Sequence, residues 1–124
     1  MSFFTEADVI SAYTRADAIA DGALVDVTKT AQEAGFVWPV AITQGLWATI
    51  NDIPKSKSYQ DVQGRLWDVL YMAFLAARGR PDDAQLNYRV IMHHGRKTYI
   101  TLKMVSGPGD QAEPVITIML PHES

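Results

Sequence analysis

The 124-residue chain contains no cysteine. That excludes a disulfide scaffold, a thiolate nucleophile and any zinc site built on cysteine ligands. Long hydrophobic runs are also missing. The longest apolar stretch, VLYMAFLAA (Val69 to Ala77), falls well short of the ~20 residues that span a bilayer, so no membrane partner is expected. The opening MSFFTEADVISAY has no basic region ahead of an apolar core and does not read as a secretory signal. The expectation is a soluble, cytoplasmic chain forming one domain over 1–124.

Charge of one sign is scarce overall, with a net charge of −3, but it is unevenly placed. Residues 1–26 carry Glu6, Asp8, Asp17, Asp21 and Asp26 against Arg15 alone. Residues 63–124 hold slightly more Lys and Arg than Asp and Glu. Such asymmetry gives surfaces of different sign, or simply a solvated exterior.

What is present divides by period. Val9, Tyr13, Ala16 and Ala20 recur at helical spacing, with Thr14, Asp17, Ala18 and Asp21 on the other face and Gly22 as the stop. Ala23 to Val27 suggests one brief edge strand. A short helix follows, started by Asp26 or Thr28 and ended by Gly35. Pro39 breaks the next stretch, after which Thr43 caps a helix carrying Leu46, Trp47 and Ile50. Residues 51–63 read as an exposed polar loop. RLWDVLYMAFLAARGR is apolar nearly all round, which predicts a central buried helix or one that also buries a face in a partner; Gly79 and Pro81 stop it.

The last third turns to β-prone segments. LNYRVIMH, KTYITLKMV and PVITIMLP predict three strands, joined through HHGRK, with Gly95 free to take positive φ, and through SGPGD, where Gly107 and Gly109 supply the freedom to reverse. Leu86, Tyr88, Val90, Met92, Ile100, Leu102, Met104, Ile116, Ile118 and Leu120 would face the helices. The predicted fold is α+β, with N-terminal helices (about 5–80) on one face of a C-terminal three-stranded antiparallel meander (about 85–121).

Chemical signals are sparse. SGPGD lies between two strands and lacks the Lys-Ser/Thr and helix of a phosphate loop. His93 and His94 are adjacent, so in a strand they point to opposite faces and do not chelate one ion together. No metal or other cofactor is expected, and no catalytic set can be assigned. Carboxylate chemistry at Asp17 and Asp21, or histidine chemistry at His93 and His94, remains an alternative. The outer sheet face, with Arg89, His93, Tyr99 and Lys103, is a candidate contact surface for protein, or for nucleic acid as the less favoured alternative. Trp38, Trp47 and Trp67 read most simply as core residues, and any left exposed as interface anchors.

Three stretches taken together, TRADAIADGALVDVTKTAQEAGFVWPVAIT, GRLWDVLYMAFLAAR and LKMVSGPGDQAEPVITIMLPHE, resemble a family of small uncharacterised proteins carried by proteobacterial plasmids, integrative elements and phages. NDIPKSKSYQ is shorter than the polar loop usual in that family. The family carries no assigned activity, so the resemblance transfers no catalytic residue. It implies a non-enzymatic protein that binds a host defence protein or ribonucleoprotein complex, most concretely an inhibitor of a CRISPR effector. In that reading Asp17, Asp21 and Asp26 form an acidic partner-binding patch, and the Arg89, His93, Tyr99 and Lys103 face docks on protein. A nucleic-acid-binding regulator of the element is the runner-up, and a second copy of the chain is a further partner to consider.

Overall fold

A computed structural model describes residues 13–55, 61–94 and 96–124. Among the described residues nine elements follow in chain order: α1 (Arg15–Asp21), β1 (Leu24–Asp26), α2 (Thr28–Ala34), β2 (Val40–Thr43), α3 (Gln44–Asn51), α4 (Val62–Gly79), β3 (Gln85–His94), β4 (Lys97–Pro108) and β5 (Pro114–Met119).

The α+β class agrees with the sequence, but the three-stranded meander is wrong. The sheet has five strands in the order β1-β2-β5-β4-β3 and is mixed, because β2 runs parallel to β5. β5 is therefore the middle strand, not an edge. The strand missed altogether is β2. It is only four residues long, follows a proline, and shows no alternation because Val40, Ala41 and Ile42 are all buried. A strand covered on both faces loses the period-two signal. β1 pairs antiparallel with β2, so the region expected to be helical contributes two strands.

The helices do not all lie on one side. Val40, Ile42, Leu46, Leu66, Val69, Leu70, Ala73, Leu102 and Ile118 form one core cluster between the sheet and α2, α3 and α4. On the other face α1 lies against the β1, β2 and β5 end. There Arg15 Nη1 donates to Thr117 Oγ1 at 2.7 Å and Arg15 Nη2 to the Ile116 carbonyl at 2.7 Å. Ala18, Ala41 and Val115 are buried accordingly. Among the described residues nothing covers the β3–β4 end of this face, where Ile91 and Tyr99 are exposed.

Local capping explains the helix limits. Thr14 and Asp17 form a reciprocal capping box on α1, and Gly22 closes it at φ 88°. The Thr43 hydroxyl accepts from Leu46 N–H and starts α3, as the sequence predicts. α4 begins earlier than expected, because the Asp61 carboxylate accepts from Gly64 N–H at 2.5 Å. The β4–β5 reversal occurs where predicted, but its positive φ (64°) belongs to Ala112 and not to Gly107 or Gly109. Gly95 and residues 56–60 lie outside the described residues, as does the start of the expected first helix.

The first and third of the stretches that carry the resemblance meet in space. The Asp110 carboxylate, in the β4–β5 turn, accepts from the backbone N–H groups of Arg15 and Ala16 at 2.8 and 2.9 Å. The turn thereby satisfies the first N–H groups of α1 and places an anion at the positive end of the helix. These hydrogen bonds, from Ala16 first, then from Arg15, hold the Asp110 carboxyl below its ordinary pKa. A folded pKa below the unfolded one means stability present above the unfolded value and lost as pH falls through the folded one. An Asp110→Asn chain should therefore melt below wild type at neutral pH, and the two melting curves should converge in acid. Melting temperature against pH checks this; a constant gap would show that the charge is irrelevant.

Candidate functional site

The three acidic residues proposed as a patch each have a structural occupation. Asp17 accepts from Thr14 N–H in the capping box. Asp21 accepts from the Tyr13 hydroxyl at 2.5 Å and from Ala23 N–H at 3.0 Å. The hydroxyl is the main cause holding the Asp21 carboxyl below its ordinary pKa, and the same contact pushes the Tyr13 phenol up. Asp26 accepts from both the N–H and the hydroxyl of Thr28 and so opens α2. Asp26 lines a depression with Arg15, Asp110 and Glu113, to which Asp17 and Asp21 do not contribute.

The four sheet-face residues also separate. The Arg89 guanidinium lies 4.8 Å from the centroid of the Tyr99 ring, so these two form one unit on the open face. Lys103 instead turns to the C-terminal segment, where its ammonium donates to the Glu123 carbonyl. Glu123 in turn accepts from Thr43 Oγ1 and Leu120 N–H, so this segment closes over the ends of β2, β4 and β5. His93 is displaced by a register shift between Ile91 and His94 and lines a groove with Asp61, Arg65, Trp67 and Asp68. Its carbonyl accepts from Arg65 Nη2.

Arg65 carries more of the architecture than the sequence suggested. It is buried, and its Nη1 donates to the carbonyls of Thr49, Ile50 and Asp52. One guanidinium thus caps the C-terminal end of α3 and ties it to β3. Burial lowers the Arg65 pKa, with Asp52 opposing the shift. A buried arginine is uncommon without such a set of acceptors.

The most conspicuous surface lies along α4. Its inner face supplies Leu66, Val69, Leu70 and Ala73 to the core. Its outer face exposes Trp67, Tyr71, Met72 and Leu75. Trp67, Tyr71 and Leu75 follow one another at a spacing of four, so they form a stripe. The Trp67 and Tyr71 rings stack at 5.9 Å with an interplanar angle of 8°. Of the tryptophans expected in the core, Trp67 is exposed here and Trp38 is exposed elsewhere, while Trp47 packs partly against the core. Next to the stripe, Asp68 and Met72 share a depression with Arg89, Ile91 and Tyr99. The sequence held the signal for this stripe: α4 has more apolar residues than one inward face can use.

Among the described residues no group of three or more His, Asp or Glu side chains stands close enough to hold a metal ion, and no helix is long and apolar enough to cross a membrane. No curated protein and no solved structure matches the chain. A family model described as a family of unknown function, DUF6573, matches residues 1–124, and the chain belongs to that family.

Proposed function

We propose that the chain acts by binding, as a protein-interaction module whose contact surface is the outer stripe of α4. The observation that supports this is the set of exposed side chains Trp67, Tyr71 and Leu75 on one helix face. Large rings held by stacking lose little freedom on docking and exclude water over a wide area, which makes them the usual energetic centre of an interface. In its most concrete form the partner is a host defence complex that the protein inhibits, most specifically a CRISPR effector. That form extends the resemblance to proteins of plasmids, integrative elements and phages, and it requires no chemistry from this chain. The acidic residues Asp17, Asp21 and Asp26 serve α1 and α2 locally, so the stripe is the stronger choice of surface.

The test is interference with and without the protein. Expression should restore plasmid transformation in a host whose CRISPR system targets that plasmid, and the tagged chain should retain the effector complex. Trp67→Ala should weaken retention by roughly 30-fold, the effect of losing about 2 kcal/mol at a hot spot. Unchanged interference together with no retained effector would overturn the anti-defence form. Retention untouched by Trp67→Ala and Tyr71→Ala would overturn the stripe.

A second reading has its own observation. Arg89 over Tyr99 is a ring-and-cation pair of the kind that holds single-stranded nucleic acid. A salt-dependent mobility shift lost in Tyr99→Ala would favour it, and no shift at low salt would dispose of it.

A further inference from the structure

β4 is longer than its neighbour β5, and its first half has a strand on one side only. It pairs with β3 from Lys97 onward, but with β5 only from Lys103, which stands opposite Met119. The Ser106 N–H to Ala84 carbonyl bond, with the β3–β4 register, fixes which way the β4 backbone points. By the alternation of an antiparallel ladder, Ile100 and Leu102 exchange hydrogen bonds with β3, while the N–H and C=O groups of Tyr99 and Thr101 point to the β5 side. Continued in register, β5 would set residue 121 opposite Thr101. That residue is Pro121, which has no N–H to give and lies in the turn after the strand. Among the described residues no strand takes the place beside Tyr99 and Thr101.

A depression of about 630 Å³ lies there, between the start of β4 on one side and Thr49 and the Leu120 to His122 turn on the other, with no contribution from β3. Charge in its lining has one sign. Arg96 and Lys97 bring two cations, His122 adds an imidazole, and there is no carboxylate, in a chain whose net charge is −3. Among the described residues neither cationic side chain has a hydrogen-bond or ion-pair partner. An acidic occupant fits this wall. The backbone narrows the choice to a peptide. The Tyr99 and Thr101 carbonyls need donors as much as their N–H groups need acceptors; an extended peptide supplies both, whereas a phosphodiester supplies acceptors alone. The faces of β4 agree with this. Lys97, Tyr99 and Thr101 share one face, and Ile100 points to the other, where it and Leu120 pack against the core. A strand alternating acidic and apolar residues would meet Lys97 on one face and Ile100 and Leu120 on the other.

We propose that an extended acidic segment of a partner protein adds here as a strand beside β4, beyond the end of β5, pairing with the backbone of Tyr99 and Thr101 and setting its carboxylates against Arg96, Lys97 and His122. From Lys97 to Leu102 the open stretch is roughly 17 Å long at about 3.4 Å a residue, room for about five residues. The site shares no residue with Trp67, Tyr71 and Leu75, so it is a second contact surface and does not rest on the α4 reading.

A labelled peptide of alternating glutamate and valine tests the site on the whole chain. Its fluorescence anisotropy should rise on titration with wild type to about 100 µM at low salt. An Arg96→Glu, Lys97→Glu double variant should bind it about 10-fold more weakly. Both side chains are exposed, so this variant should melt with wild type. Two further peptides carry the same charges but are N-methylated, one at its glutamates and one at its valines. Alternate amides of a strand face opposite sides, so one of these should lose binding and the other keep it. No anisotropy change with wild type, undiminished binding by the double variant, or equal behaviour of the two methylated peptides would each overturn the proposal. Displacement of the peptide by oligothymidylate at lower concentration would assign the depression to nucleic acid and overturn it as well. None of these readouts involves the α4 stripe or the defence complex, so the two ideas fail separately.

Discussion

Replacing Arg65 with methionine is expected to lower the unfolding free energy by about 3 kcal/mol. The side chain is only 4% exposed, and its guanidinium donates to four carbonyls, those of Thr49, Ile50, Asp52 and His93. Methionine fills most of the volume and donates nothing. The Thr49 carbonyl keeps the Asp52 N–H, and the more exposed carbonyls can turn to water. The Ile50 carbonyl, whose residue is fully buried, has the poorest alternative. At roughly 1 kcal/mol per buried bond lost, with a larger penalty for an orphaned acceptor, the sum falls near this figure. In a domain of this size that corresponds to a fall of roughly 10 °C in melting temperature. Arg65→Lys should lie between the two, since an ammonium keeps the charge but cannot span both α3 and β3. Urea unfolding of the three chains gives the order; a loss below ~1 kcal/mol for methionine would show that water replaces the guanidinium.

Local grammar was legible where a cap or a stop acts on its own neighbours. Gly22, Gly35 and Thr43 bound helices as their chemistry dictates, while α4 runs through Gly79 and is capped by Arg80. The inward faces of β3, β4 and β5 also follow from alternation: Leu86, Tyr88, Val90, Met92, Leu102, Met104, Ile116 and Ile118 are buried. The long-range facts were not legible. Val40 to Thr43 becomes a strand because β5, more than seventy positions away, pairs beside it in parallel. Nothing within four residues announces that pairing. Arg15 looked like an isolated cation in an acidic stretch, and its partners Thr117 and Ile116 are a hundred positions downstream. The local use of the acidic residues was hidden for a related reason. Asp17, Asp21 and Asp26 stand close in sequence because each serves a neighbouring cap or turn, a use that composition cannot separate from a binding surface.

Gly35→Ala should cost about 3 kcal/mol, from two sources that can be measured apart. Gly35 ends α2 at φ 124°, with its N–H shared between the Ala31 and Gln32 carbonyls. An L-residue is strained there, at about 1–2 kcal/mol. A β-carbon would also lie 2.7–3.0 Å from three carbons of the Phe74 ring. The ring cannot easily yield. The Phe36 ring meets it edge-on at 5.7 Å, and the Arg78 guanidinium lies 5.7 Å from its centroid. Relief therefore means moving α2 away from α4, an overpacking cost of roughly 1–3 kcal/mol. A double-mutant cycle separates the terms. Against a Phe74→Leu background the clash is relieved, so Gly35→Ala should then cost only the backbone part, with a coupling of about 1–2 kcal/mol. Zero coupling would mean that the ring moves freely and the strain is wholly in the backbone. The consequence reaches function, because α2 packs directly on the helix that carries Trp67, Tyr71 and Leu75. If the clash tilts α4, Gly35→Ala should weaken partner retention below the temperature at which the chain unfolds, and Phe74→Leu should restore it.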